Sequence, residues 1–451
     1  MGASVRVGIV ASFLLLGGCA KRGPTSLLDE AARKAQGGKA DARTLALAGF
    51  HALLADDNPV QAESRFDSAV TQNPGEPYAL LGQMITGERQ AAQDKTLTAA
   101  IELVTRTPTH PLAAIAARHL LDTSGTSAPQ DDRIRTAAEL SLARGAAGDA
   151  AQLLRSALAA IAYQRGDTAT HARILAAMGV VDRVTLTGPH SVWHRLAFDE
   201  TTPTEESGNV EANAPGPLGE LRPRTLLFPD GRLGLSGEPP PGDVYLLSTD
   251  VEVARGGDYI VRTLSSASHK VLLDGTRLFE RRTFERPEST VSQRGVTLRP
   301  GRHRVLIKLL KESRPPSISL SISRADGRPA NLQLSPSTGS ASTWSGVATR
   351  EAPATFSRAQ DVAAALEAEA GEALASYVAA WDGMNRDRDG AKRLVARLFN
   401  GGVQGPAATF LRAKVALGDR TVPSKVAQGR ATRDVEATLE KDKEHVEALM
   451  L

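Results

Sequence analysis

The run PVQAESRFDSAVTQNP, from Pro59 to Pro74, decides how most of this chain reads. Ala62, Phe66 and Ala69 follow at steps of four and three, which sets them on one face of an α-helix, and Pro74 closes it five residues later. Two small residues on that face let another helix approach closely, and the aromatic ring between them fills the groove. Thirty-four residues on, Thr96, Ala100, Leu103 and Pro108 repeat the spacing: the apolar face and the proline survive, the small-residue signature is weaker. Tyr78-Ala-Leu-Leu81-Gly82 lies between the two units, where a partner helix belongs. A fixed period of this length marks stacked helical hairpins, each burying its face against the next. Ala137 to Val180 continues as Ala/Leu-rich amphipathic pairs with breaks at Gly148 and Gly166-Asp167.

The spacing of Ala62, Phe66, Ala69 and Pro74 resembles the second helix of a tetratricopeptide repeat, with Leu81 and Gly82 in the first helix of the next unit. The resemblance covers about two units, and a generic array of α-hairpins is the alternative. Either stack displays surface for partners and performs no chemistry of its own. Binding is expected on the inner helices, with Tyr78, Leu81, Arg89, Trp381 and Arg393 as surface contacts. From about Arg358 the chain is helical again, and Ala431, Val435 and Thr438 repeat the four-then-three step, with Lys443 where proline is expected. The closing EHVEALML reads as the opening of a further repeat, so the chain is expected to be the front of a longer one or to have its end covered by a partner; a short terminal helix is the alternative.

Between the helical segments the periodicity changes to alternation. Asp243 to Ser248, Gly257 to Leu264, His269 to Gly275, Gly301 to Leu310 and Ser317 to Ser323 read as strands, with turns at Asp274-Gly275 and Arg299-Pro300-Gly301. The order GDYIVRT, HKVLLDGTRLFERRTFERP, VTLRPGRHRVLIKLLK resembles the carbohydrate-binding-like jelly rolls of bacterial surface proteins. The expected fold is therefore a multidomain α and β chain in which tetratricopeptide-like α-solenoid segments (41–180 and 358–451) flank an antiparallel, jelly-roll-like β-sandwich (184–334). Thr201–Pro223 reads as a long loop and 335–357 as a Ser/Thr/Pro-rich linker, with Trp344 docking onto the sandwich.

The amino terminus reads MGASVRVGIVASFLLLGGCAKRG. Its apolar run, Val7 to Leu16, is too short to span a bilayer, which needs about 20 residues, and suits a secretory signal. Leu16-Gly17-Gly18-Cys19 resembles the lipobox of bacterial lipoproteins. That implies removal of residues 1–18, acylation at Cys19 (thioether-linked lipid and an N-terminal acyl chain such as palmitate), and a polar tether over 19–40. An ordinary signal with an incidental cysteine is the alternative. Ala20 after the cysteine implies sorting to the outer membrane, facing the periplasm. Lipobox, repeats, sandwich and further repeats, in that order, resemble the front half of bacterial tetratricopeptide lipoproteins, some of which carry a transglutaminase-like domain further along.

Of 451 residues, 54 are Lys or Arg and 51 Asp or Glu, a net +3 without a dense basic block, which argues against nucleic acid. A single cysteine excludes an internal disulfide and any multi-cysteine metal site. His190 and His194 stand four apart but in an extended stretch, where they do not converge on one ion, and neither P-loop, G-x-G-x-x-G nor G-x-S-x-G occurs; Ser236 lies in Gly-Leu-Ser-Gly. No catalytic residue, metal or cofactor is expected. Aromatics make up only 4%. Tyr245 and Tyr259 fall in core strands, so the sugar or acidic-partner contact in the β region is assigned to Phe279, Arg281, Arg282 and Phe284, with Arg277 and Arg286 beside them. The leading expectation is a lipid-anchored envelope protein that engages unidentified protein partners and performs no catalysis. The alternatives are the non-catalytic front of a larger transglutaminase- or peptidase-like enzyme and a polysaccharide-binding protein.

Overall fold

In the computed structural model the chain is a multidomain α-plus-β protein. The residues described are 27–38, 40–191, 193–210, 214–216, 219–235, 244–282, 290–311, 316–341, 344, 346–351, 358–419 and 421–451. Cys19 and its lipobox, Ser236, Phe284 and Arg286 lie outside them.

Among the described residues nine helices come first: α1 (Leu27–Gln36), α2 (Ala42–Leu54), α3 (Pro59–Gln72), α4 (Pro77–Arg89), α5 (Gln93–Arg106), α6 (Leu112–Thr123), α7 (Ala128–Ala143), α8 (Gly148–Gln164) and α9 (Thr168–Met178). Local chemistry sets several starts. Asp41, Asn58 and Asp167 cap α2, α3 and α9 by accepting backbone N–H bonds from Thr44, Gln61 and Thr170 at 2.7, 2.9 and 3.0 Å. Pro59 and Pro77 sit in the first turns of α3 and α4, where a missing N–H costs nothing. Each helix packs on its sequence neighbour, and α2, α4, α6 and α8 also pack on one another in succession, so the hairpins stack in two layers.

The middle is β1 (Arg183–Thr187), α10 (His194–Asp199), α11 (Pro203–Ser207), β2 (Ala214–Gly216), β3 (Gly219–Leu221), β4 (Arg224–Leu227), β5 (Leu233–Gly234), β6 (Val244–Val253), β7 (Gly257–Ser265), β8 (His269–Leu273), β9 (Thr276–Arg281), β10 (Thr290–Leu298), β11 (Gly301–Leu310), β12 (Ser317–Arg324), β13 (Leu332–Pro336) and β14 (Ala348–Arg350). One antiparallel sheet runs β4-β1-β6-β11-β8-β9, with β13 also on β6; a second runs β14-β10-β7-β12-β5. Alternation builds their shared core: Tyr245, Leu247, Val305, Ile307 and Val271 from the first sheet meet Tyr259, Val261, Leu320, Ile322 and Val296 from the second.

The first sheet is buried on its other face too, under α10, α11 and Trp344. That is why β6 and β11 read VYLLS and RVLIKLL rather than as clean alternators. The expected linker differs from what is observed. Its two ends form edge strands, β13 on β6 and β14 on β10, and Ser337 is fully buried. The linker's own share of these strands, Ser335-Pro336 and Ala348-Thr349-Arg350, is too short and too polar to read as strand. The Thr201–Pro223 loop likewise contains α11, closed by a Thr202/Glu205 capping box, and the small β2–β3 hairpin.

The last five helices are α12 (Ala359–Gly383), α13 (Arg388–Asn400), α14 (Pro406–Leu417), α15 (Ser424–Lys441) and α16 (Val446–Met450). They do not form a second block. α12 packs on α1, α14 on α2 and α16 on α4, and Leu366, Leu374 and Val378 share one apolar core with Leu28, Phe50 and Leu81. The small-residue face of α12 closes a helical surface that α1 and α2 would otherwise leave in water.

Candidate functional site

Phe66 lies fully buried between α2 and α4, its ring 5.0 Å from that of Phe50 in an edge-to-face pair. A Cβ at Gly49 would sit 2.5 Å from Phe66 Cε1, and one at Gly82 closer still, so the ring occupies the space both glycines leave. Ala62, Ala69, Leu81, Ala100 and Leu103 are also fully buried, whereas Pro74 and Pro108 sit in the turns after α3 and α5.

Four expected surface contacts are placed elsewhere. Tyr78 and Leu81 are fully buried in the helical core, since α12 returns to cover α4. The Arg43 guanidinium lies 3.7 Å from the Tyr78 ring centroid and donates to the Glu369 carbonyl at 3.0 Å. Arg89 is paired with Asp442, and Trp381 Nε1 donates to Glu88 Oε2 at 2.9 Å. These groups form a polar seam between front and rear helices. Burial there pushes the Glu88 carboxyl up to about 7 and the Tyr78 hydroxyl up to about 12, and holds the His445 imidazole down at about 3. Only Arg393 of the five is exposed.

The outer face of the first sheet carries buried charge. Arg304 donates from Nε and Nη2 to Asp250 at 2.7 and 3.0 Å, and to the carbonyls of Gly208, Gly339 and Thr338 at 2.6, 2.7 and 3.1 Å. Lys308, fully buried, donates to Glu205 at 2.8 Å and to the Glu200 carbonyl, and Lys270 donates to the Phe198 carbonyl at 2.6 Å. These cations satisfy the carboxyl ends of α10 and α11 and clamp them to the sheet. Trp344 donates from Nε1 to the Glu205 carbonyl at 3.1 Å and docks over Leu246, Leu272 and Leu306. His190, whose burial holds its imidazole down at about 4, packs here with Nε2 3.0 Å from Thr187 Oγ1. The His194 side chain lies outside those described. Among the described residues no cluster of three His, Cys, Asp or Glu side chains is arranged to hold a metal ion, and no helix is long and apolar enough to cross a membrane.

The residues assigned to a sugar contact are dispersed. Phe279 belongs to β9, packs on the shared core and meets His269 edge-on at 6.1 Å, so it offers no open platform. Arg282 is committed to Asp199 and Glu280. Arg281 points elsewhere, into a cleft the sequence did not signal.

That cleft, of about 1220 Å³, separates the helical body from the second sheet. Its floor is the outer face of β7 and β12, with Arg262, Leu264, Ser319 and Ser321; its walls are α8, α9 and the α12–α13 turn. Contacts of several kinds bridge the two bodies beside it. Arg262 pairs with Asp149 at 2.6 Å, Arg155 donates to the Gly327 carbonyl at 2.7 Å, and Val180 bridges to Ser321. A smaller chamber of about 310 Å³ shares Asp149, Gln152, Arg262 and Ser323 with it.

No family model matches the chain, and no curated protein matches it. Two solved structures of the β-glucosidase from Kluyveromyces marxianus, one of them in complex with glucose, align at a TM-score of 0.24 and 11% identity. The alignment covers 33% of this chain and 18% or 19% of theirs, under a fifth of the β-glucosidase, and a likeness of that size carries no inference about activity here.

Proposed function

We propose that this chain is a lipid-anchored protein of the bacterial cell envelope that acts as a non-enzymatic interaction scaffold. Its helical body is read as a tetratricopeptide-like stack and its two-sheet body as a jelly-roll-like module. The observation that carries the reading is the open cleft at the junction of the helical and two-sheet bodies, large enough to receive a segment of a partner chain. The small-residue packing around Phe66 supports the repeat assignment. The Leu16-Gly17-Gly18-Cys19 motif supports the anchor, with the diacyl attachment that stable anchoring requires.

The test has two parts in cells producing the full chain. Cys19→Ser should abolish incorporation of labelled fatty acid and release the chain from membranes. A photoreactive residue at Leu264, exposed on the cleft floor, should form discrete protein adducts. Retained acylation in the variant would sink the anchor; absence of protein adducts, or turnover of an envelope substrate by the purified chain, would sink the scaffold.

A further inference from the structure

The cleft holds more positive charge than it neutralises. Arg232, Arg281, Arg358 and Arg393 line it, and none has a side-chain partner among the described residues. Seven arginines line the space against five aspartates: Asp149 pairs with Arg262 at 2.6 Å, Asp387 accepts from the backbone N–H groups of Ala359 and Gly390 at 2.9 and 3.1 Å, Asp230 accepts from that of Arg232 at 3.0 Å, and Asp389 and Asp122 complete the set. Asp122, by contrast, is desolvated, which pushes its carboxyl toward the neutral form.

A second observation is independent of charge. Arg281 Nε, Gln152 Nε2 and His171 Nε2 are buried, lack a hydrogen-bond partner among the described residues, and belong to side chains that line this same cleft. Buried polar atoms are rarely left unpaired, so a concentration of them at one cleft points to a ligand. Their chemistry is mixed. Gln152 and Arg281 offer donors. His171 Nδ1 lies 2.9 Å from the Ala159 carbonyl and donates to it, which leaves Nε2 as the ring position without a partner. A peptide backbone, with both N–H and C=O groups, can serve all three positions.

The lining also contains apolar side chains: Leu264 and Val291, paired across β7 and β10, with Met178 and the exposed ring of Tyr163 elsewhere on the wall. A glycan would need aromatic platforms, and among the described residues the cleft lining has, apart from His171, one aromatic ring, Tyr163. We propose that the cleft docks an acidic, leucine-containing peptide segment of a partner protein. Its carboxylates meet Arg232, Arg281, Arg358 and Arg393, its apolar side chains lie on Leu264 and Val291, and its backbone pairs with Gln152 and His171. This rests on the scaffold reading and names its partner chemistry.

The probe is a fluorescent synthetic peptide alternating leucine and glutamate, titrated against the full chain in detergent. Saturable binding that weakens with salt is expected, and Arg358→Glu/Arg393→Glu, both exposed and outside the core, should weaken it about tenfold or more. Arg281→Met should weaken it too, with unchanged circular dichroism showing an intact fold. A peptide with lysine in place of glutamate should not bind. Equal binding of the two peptides, or undiminished binding by the double variant, overturns the proposal. Displacement of the peptide by polygalacturonate at equal carboxylate concentration overturns the peptide assignment. If cellular adducts at Leu264 persist unchanged in the double variant, the cleft assignment fails while the scaffold reading stands.

Discussion

Replacing Gly82 by alanine should destabilise the protein when Phe66 is present and stabilise it when Phe66 is absent. In the native chain a methyl at Gly82 collides with the Phe66 ring on three of its atoms, with no other neighbour as close. Overpacking of this kind costs about 1–3 kcal/mol, offset by the roughly 1 kcal/mol by which alanine outperforms glycine inside a helix. Phe66→Ala removes a fully buried ring and its edge-to-face contact with Phe50, at about 3–5 kcal/mol. In that background the methyl enters vacated space, so the collision vanishes, while the helical gain and about 0.8 kcal/mol of buried methyl remain. The double variant should therefore be about 1–2 kcal/mol more stable than Phe66→Ala alone, and the cycle should show roughly 3 kcal/mol of coupling, against the 0.3–0.5 kcal/mol expected of independent sites. Urea denaturation followed by far-ultraviolet circular dichroism measures all four corners. A double variant no more stable than Phe66→Ala would refute the packing argument.

Two further predictions concern buried charge. Glu88 holds its proton up to about pH 7 when folded, against 4.5 for the free group. The native state then binds more protons between those values, so stability is highest below about 4.5, falls as pH rises toward 7, and is flat above; the total is roughly 3 kcal/mol. Glu88→Gln should flatten that slope in urea midpoints taken across the window, and an unchanged slope would assign it to other groups. Asp250→Ala strips Arg304 of its bidentate partner, both groups being buried, and should cost about 3–5 kcal/mol. Limited proteolysis should then cut faster near Gly208 and Gly339, whose carbonyls Arg304 holds; an unaltered cleavage pattern would mean that the clamp does not depend on this pair.

The parts of the fold legible in the sequence are those governed by local spacing. Phe66 and its neighbours at four and three residues lie on the buried face of α3, and Ile318, Leu320 and Ile322 point into the sheet core. What escaped is set by distant partners. Nothing near Tyr78 announces that Glu369 will lie 3.5 Å from its hydroxyl, so a residue in the heart of the helical body reads as surface. Phe279 next to two arginines reads as a loop until β8 pairs with it. The cleft is the extreme case, since Arg232 precedes β5, Arg281 ends β9, Arg358 stands at the N-cap of α12 and Arg393 lies in α13, so no window of sequence brings these four together. One signal was available: Lys308 interrupts the apolar run Val305–Leu310 of β11, with Arg304 directly before it, and Lys270 abuts the run Val271–Leu273 of β8, which marks a sheet covered on both sides by something able to accept their hydrogen bonds.

The return of α12 to α1 gives the chain an order of events. In the finished protein the two-sheet body is an insertion, entered from α9 at Met178 and left toward α12 at Ala359, within a helical body whose docked pairs, α12 on α1 and α14 on α2, begin more than 300 residues apart in sequence. The front helices can pair with their neighbours as they emerge, yet the surface that receives α12, α14 and α16 must wait until the whole insertion has been made. Closing so long a loop costs entropy that grows only slowly with its length, so the delay is one of synthesis and search rather than of stability. Contacts of such long range slow folding and leave apolar surface open in the interval. A compact insertion that folds first and brings its two ends together would turn that search into a local one.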